Sequence, residues 1–183
     1  SRLDTELSRE ALLPVDMNFL IHTLLDSYEP GLERKTGKAR TPGRIVKAGS
    51  IAIRYTADGN GSYKVAGIES RLMQVLDNLL SNALSFSPKK GSILITLHAQ
   101  ERQLTMHIED EGPGIPPGKL ENIFERFYSE RPLHEDFGNH SGLGLAICQQ
   151  IVEAHGGHIY AENIKDNKNK VKGARFTIVL ARL

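Results

Sequence analysis

Hydrophobic residues recur along this chain at two periods, and the order in which the periods appear is the strongest constraint on its fold. Helical spacing appears three times. From Asp16, a suitable N-cap, Met17, Leu20, Ile21, Leu24, Leu25 and Tyr28 form one stripe. A second helix is predicted from about Glu69 to Ser85, with Leu72, Val75, Leu76, Leu79, Leu80 and Ala83 facing inward and Pro88 closing it. A third starts near Gly142 and stops at His155-Gly156-Gly157. His22 lies off the first stripe and is predicted to be solvated.

Strands are predicted at Ile51–Tyr55, Ile93–Leu97, Leu104–Ile108, Ile159–Ala161 and Phe176–Leu180. In the third of these Leu104, Met106 and Ile108 alternate with Thr105, His107 and Glu109, so one sheet face is buried and the other wetter. Asp58-Gly59-Asn60-Gly61 is a turn signal, and Tyr63-Lys64-Val65 reads as the strand returning from it. Strands do not alternate simply with helices, which argues against a doubly wound parallel sheet. The predicted class is an α+β two-layer sandwich: a mixed, mostly antiparallel sheet with three helices on one face.

The first 13 residues carry Leu3, Leu7 and Ala11 at helical spacing and read as the end of a longer upstream helix, with Pro14 ending it. Residues 14–183 then form one domain. Pro30 to Gly43 reads as a polar, basic loop. Gly112 to His140 holds four prolines and one short helical patch near Leu120–Phe124; a loop of that length suits a functional lid, placed at about 115–141.

Composition excludes several classes. A 183-residue chain, 39% hydrophobic and 25% charged, is ordinary for a globular protein. No apolar run reaches the roughly 18 residues needed to span a bilayer, and nothing resembles a signal peptide. A formal charge of +1 gives no footprint for nucleic acid. The lone Cys148 cannot form an internal disulfide and reads as a small packing residue, in keeping with a reducing compartment. The histidines show no metal-ligand spacing.

Three segments point to chemistry. Asn78 and Asn82, four apart, share a face about 40° wide beside the leucine stripe. Two amides there can offer carbonyl oxygens to magnesium, which takes few protein ligands and keeps water and phosphate for the rest. Asp110 ends an alternating strand before Gly112-Pro113-Gly114, where a carboxylate can accept from the amino group of adenine and glycines admit a flat ring. Ser141-Gly142-Leu143-Gly144 opens the third helix, where free N–H groups favour an anion. Each also has a plain reading: exposed amides, a turn aspartate, a hinge. Between the last two, Phe124-Glu125-Arg126-Phe127 reads as an anchored lid with an arginine free to reach phosphate, or as a local hydrophobic staple.

In this order the segments resemble the catalytic ATP-binding domain of sensor histidine kinases, part of a superfamily with gyrase, Hsp90 and MutL. The resemblance runs from about Asp16 to Leu183 and includes Gly173-Ala174-Arg175-Phe176. The lid text from Phe127-Tyr128 to Phe137-Gly138 is similar to that of ChvG-type kinases of alphaproteobacteria. The resemblance implies ATP and Mg2+ as cofactors, Asn82 as metal ligand, Asn78 at the phosphate end and Asp110 on adenine. It places Phe86 beside the base, and Gly112, Gly114, Ser141, Gly142, Leu143 and Gly144 around the pocket and lid hinges. Two positions depart from the pattern. Ser85 stands where a basic residue is usual, leaving Lys89, Lys90 and Arg126 to supply charge. His140 stands where the lid's first glycine is usual.

Hydrolysing relatives carry a glutamate at the position of Asn78, and an amide cannot take a proton from water near neutral pH. The resemblance therefore implies a kinase that passes the γ-phosphoryl group to a histidine on a separate dimerisation domain. It also implies a cognate response regulator, an isolated domain that is monomeric, and a homodimeric parent. The domain would be cytoplasmic and the parent anchored in the inner membrane, with no membrane contact from this segment. A hydrolytic ATPase clamp and a degenerate nucleotide-binding interaction module are the alternatives.

Overall fold

A computed structural model describes residues 11–29, 43–59, 62–126, 128 and 142–183. Its elements are β1 (Leu13–Asp16), α1 (Met17–Asp26), β2 (Arg44–Ala48), β3 (Ile51–Gly59), β4 (Lys64–Gly67), α2 (Glu69–Phe86), β5 (Ser92–Ala99) and β6 (Gln103–Glu109). A 3₁₀ turn (Asn122–Phe124), α3 (Gly144–Ala154), β7 (His158–Lys165) and β8 (Val171–Ala181) follow. Six strands form one sheet in the order β2-β3-β5-β6-β8-β7. Every pair is antiparallel except β3–β5, which is parallel. Three helices pack against this sheet, the two-layer arrangement anticipated from the hydrophobic periods.

The stripe of α2 is buried as its spacing requires: Leu72, Val75, Leu76, Leu79, Leu80 and Ala83 are all inside. They meet Ile95 and Leu97 of β5 and Met106 and Ile108 of β6 in one core. Truncating a residue such as Leu79 to alanine costs about 2–5 kcal/mol at such a position. The expected N-cap holds too, since the Asp16 carboxylate accepts the N–H of Phe19 at 3.1 Å.

Three expectations are corrected, and one strand, β2, had not been anticipated. Leu13 and Pro14 do not end a helix but belong to β1, which pairs with β4 in a separate two-stranded sheet, Pro14 lying opposite Ala66. Pro is tolerated there because the strand has a free edge; residues 1–10 lie outside the described residues. The turn after β3 does not make a hairpin, because β4 joins β1 and β3 pairs with β2 and β5. A parallel β3–β5 pair needs a long crossover, and β4 with α2 supplies it. The edge strand β2 lies just after the expected loop, of which 30–42 lies outside the described residues. β2 turns back from β3 at Gly49, whose φ is +59°. Finally, His22 is buried, with its ring edge-on to Tyr55 at 5.4 Å, while Arg44 of β2 pairs with Glu29 at 2.7 Å and closes the end of α1.

One histidine aligns the two helices that frame the site. Ile68, the N-cap residue of α2, offers no side-chain cap. His155, at the end of α3, accepts the Ile68 N–H on Nε2 at 3.0 Å and donates from Nδ1 to the Ile151 carbonyl at 2.7 Å. This caps one helix with the end of another and sets their register.

Candidate functional site

At one end of the site Asp110 leaves β6 and is 5% exposed. Its Oδ1 accepts the N–H of Gly112 at 2.8 Å and of Ala174 at 3.3 Å. Burial pushes the carboxyl above its ordinary pKa, and those two N–H groups pull it part of the way back. With Oδ1 committed, Oδ2 is the oxygen left to accept from a ligand.

Glycines make this geometry possible. A Cβ on Gly173 would overlap the Asp110 carbonyl oxygen. A Cβ on Gly112 would stand 2.8 Å from the Phe86 carbonyl oxygen and 2.9 Å from Asp110 Oδ1. The chain after Asp110 is held on both sides. The Glu111 carboxylate accepts from Ser92 N and Oγ, each at 2.9 Å. Asn163 of β7 brackets the backbone of Ile115, accepting its N–H and donating to its carbonyl, each at 2.7 Å. The Ser87 hydroxyl, just past α2, is buried with no hydrogen-bond partner among the described residues. Phe86 is 40% exposed at the end of α2.

At the other end Asn78 and Asn82 are half-buried on α2. Asn78 Nδ2 donates to the Gly144 carbonyl at 3.5 Å, so the first residue of α3 lies directly beside it. Leu143 caps α3 without a side-chain hydrogen bond, which leaves the first N–H groups of that helix for another acceptor. Gly142, with φ +67°, makes the turn into it. Lys89, Lys90 and Arg126 are exposed. The segment after Gly118 packs onto the core where Ile123 and Phe124 are buried and Phe124 meets Phe176 edge-on at 6.4 Å. Ser141, His140 and Phe127 lie outside the described residues.

The structure thus brings Asp110, Gly112 and Phe86 together at one end and Asn78 and Gly144 at the other, with Asn82 one turn along α2. Gly114 (φ +78°) stands against Asn163 and Val171 just before Ile115, a role of backbone shape. Sequence reasoning gave no role to Gly173, Asn163 or Ser87. Asn163 had a signal, an amide inside a strand, where Asn is disfavoured. A nucleotide with its metal fits the donor set: a buried carboxylate with one oxygen uncommitted, a buried hydroxyl with no partner among the described residues, and amide oxygens. Among the described residues no group of three or more His, Cys, Asp or Glu could hold a metal. A cation here would rely on amide and phosphate oxygens, which suits magnesium.

Fold and site together define a class: residues 67–182 match the family described as histidine kinase-, DNA gyrase B-, and HSP90-like ATPase, and the chain belongs to it. The sensor protein ChvG of Agrobacterium fabrum is 40% identical over 185 residues, covering 98% of this chain and 29% of that protein. The chain therefore spans less than a third of the length of that curated relative. Among solved structures, a mycobacterial sensor histidine kinase, MprB, matches at TM-score 0.68 and 29% identity, over 93% of this chain and 98% of that one. The histidine kinase ThkA, solved in complex with the response regulator protein TrrA, matches at TM-score 0.68 and 26% identity, over 100% of this chain and 48% of that one. Among the described residues no helix is long and apolar enough to cross a membrane.

Proposed function

We propose that this chain is the ATP-binding kinase domain of a two-component sensor histidine kinase. Asp110 accepts the adenine amino group on Oδ2, and Gly112 and Gly173 let the backbone close in around that carboxylate. Phe86 covers one side of the base. Asn82 contributes an amide oxygen to magnesium, and Asn78 supports the phosphates beside the open N-terminus of α3. Magnesium supplies charge neutralisation on the phosphate oxygens. Gly142, Leu143 and Ser141 form the far hinge of the lid, and Arg126, Lys89 and Lys90 provide exposed positive charge near its mouth.

The observation that supports this reading best is the pairing of a buried, half-committed carboxylate with an amide where a hydrolase needs a base. Asn78 cannot deprotonate water, so the γ-phosphoryl group is spared for a better nucleophile. That nucleophile is a histidine on a helical dimerisation domain belonging to the longer parent, and catalysis is positioning and charge neutralisation. The parent is a homodimer anchored in the inner membrane, with this domain in the cytoplasm and monomeric when isolated, and a response regulator takes the phosphoryl group onward. The response regulator follows the likeness to ThkA in complex with TrrA; the rest extends the resemblance to sensor histidine kinases.

Incubating the chain with radiolabelled ATP, magnesium and the parent's isolated helical domain tests it. The expected product is an acid-labile label on a histidine of that domain. Steady phosphate release above roughly 0.1 per second with no labelled histidine would instead make the chain a hydrolytic clamp. Tight nucleotide binding with neither product would make it an interaction module.

A further inference from the structure

Asn163 spends both ends of its amide on one residue, Ile115, and the proposed nucleotide chemistry gives it no part. It is half-buried on the edge strand β7. Alternation puts it on the same side of that strand as Ile159 and Ala161, which pack into the core, so an apolar residue would be the ordinary choice there. Instead Oδ1 accepts the Ile115 N–H and Nδ2 donates to the Ile115 carbonyl, each at 2.7 Å. The N–H can only donate and the carbonyl can only accept, so the amide has a single orientation. A residue on a facing antiparallel strand would exchange the same two bonds; here a side chain takes the place of the strand.

Strand register shows what this tie spans. Asn163 pairs with Ala174 across β7 and β8. The Ala174 carbonyl accepts the Asp110 N–H at 3.0 Å, and the Ala174 N–H donates to Asp110 Oδ1 at 3.3 Å. The chain therefore leaves β6 at Asp110, passes beside Gly173 of β8 and reaches β7 at Asn163, with both of its ends tied to one row of the sheet. Small residues permit the crossing. A Cβ on Gly114 would overlap the Val171 side chain and stand 2.7 Å from Asn163 Oδ1, as one on Gly173 would overlap the Asp110 carbonyl oxygen. The β7–β8 register slips between Ile164 and Lys165, directly after Asn163, the kind of irregularity that re-aims side chains at a sheet edge.

We infer that Asn163 is a positioning residue for the purine: by holding Ile115 it fixes the path of residues 111–114, and with it the Gly112 N–H that orients the Asp110 carboxylate. This rests on the nucleotide reading above for what the carboxylate then meets. Glu111 holds the near part of the segment through Ser92, and Asn163 holds the far part. Cutting the far tie leaves Gly112 and Gly114 free to drift, and the bond from Gly112 N–H to Asp110 Oδ1 loses its fixed geometry.

Two variants test it. Asn163→Ala removes both bonds. Asn163→Asp keeps the volume and the acceptor for the Ile115 N–H but sets an oxygen against the Ile115 carbonyl, so a loss in it cannot come from a cavity. Amide hydrogen exchange in a 15N-labelled, nucleotide-free chain reads the tie itself, and the Ile115 N–H should exchange faster in Asn163→Ala. Calorimetry well below the melting temperature reads its consequence. Affinities for AMP and for Mg2+ with a non-hydrolysable ATP analogue should fall by the same factor, about fivefold to tenfold, the scale of a lost hydrogen bond. The gain from adding magnesium should be unchanged. Should Asn163→Ala fail to fold, Asn163→Asp carries the same affinity comparison. Unchanged Ile115 exchange in Asn163→Ala, folded variants that bind both nucleotides as tightly as the parent, or a loss confined to the triphosphate analogue would each overturn the inference. A parent chain that binds neither nucleotide overturns the proposed function instead, and Ile115 exchange still reports whether Asn163 holds the segment.

Discussion

The two ends of the cleft are built on opposite plans. At the purine end almost everything is committed: Asp110 Oδ1 holds two backbone N–H groups, Glu111 holds Ser92, Asn163 brackets Ile115, and glycines leave no room for a Cβ. At the other end capacity is left open, with half-buried amides and a helix start without a side-chain cap. On the proposed reading the first end recognises the base by shape and one acceptor, and the second recognises metal and phosphate by charge. Substitutions that crowd the close-packed backbone of the first should therefore damage fold and binding together, and those at the second should spare the fold.

The largest effect is expected for Gly173→Ala. The new methyl group would meet backbone, which cannot swing aside, so β6 and β8 must part beside Asp110. A cost of about 3 kcal/mol is reasonable for such overpacking, and thermal denaturation should show a fall of roughly 6–12 °C. Nucleotide binding should go with it. A variant melting within a degree or two of the parent would mean that the backbone there is not close-packed.

Asp110→Asn separates recognition from stability at the same end. Affinity for ATP should drop by about 1–3 kcal/mol, the scale of a hydrogen bond to a charged group, as read by calorimetry. The nucleotide-free fold should not suffer at pH 7. The carboxyl is held above its ordinary value in the folded state, so the unfolded chain loses its proton first. Stability from this group is therefore present below the ordinary carboxylate pKa and is lost as pH rises through the raised one. An amide lacks that penalty while its oxygen still accepts both N–H groups. The melting temperature of the variant should match or exceed the parent's at pH 7, and its advantage should shrink as pH falls below the ordinary range. A variant less stable at every pH would contradict this sign.

Asn82→Ala addresses the other end. Its melting temperature should move by no more than about 2 °C, as for a half-buried polar residue outside the core. The gain in analogue affinity on adding magnesium should disappear, and a titration in which magnesium still helps the variant would remove Asn82 from the metal. Smallest of all is Lys89→Ala. An exposed charge contributes less than about 1 kcal/mol and is screened by salt, so a loss of at most about fivefold at low ionic strength should vanish near 0.5 M salt.

The sequence revealed the two ends unequally. Asp110 and the amide pair were legible because local pattern places them: one closes an alternating strand and the others ride beside the α2 stripe. The resemblance marked the segment from Gly173 to Phe176 but gave Gly173 no role, because its importance comes from register. Pairing Glu109 with Arg175 brings Gly173 and Ala174 against Asp110, and nothing near residue 173 announces that contact. Asn163 depends likewise on how β7 lies beside the start of the lid. The same limit explains the hairpin that did not form. Turn residues after β3 reported a change of direction, while the choice of partner was settled by β5, which lies beyond all of α2. His22 shows a third limit. It lies off the apolar stripe of α1, yet the ring of Tyr55 on β3 covers it, and no spacing rule within one helix shows what packs from outside.

A crystal structure of the chain grown with Mg2+ and a non-hydrolysable ATP analogue tests the two-ended cleft most directly. The predicted result has the adenine amino nitrogen within hydrogen-bonding distance of Asp110 Oδ2, the ring against Gly112, and the metal on the amide oxygen of Asn82. An analogue bound with its base away from Asp110, or its phosphates away from α2, would contradict the account.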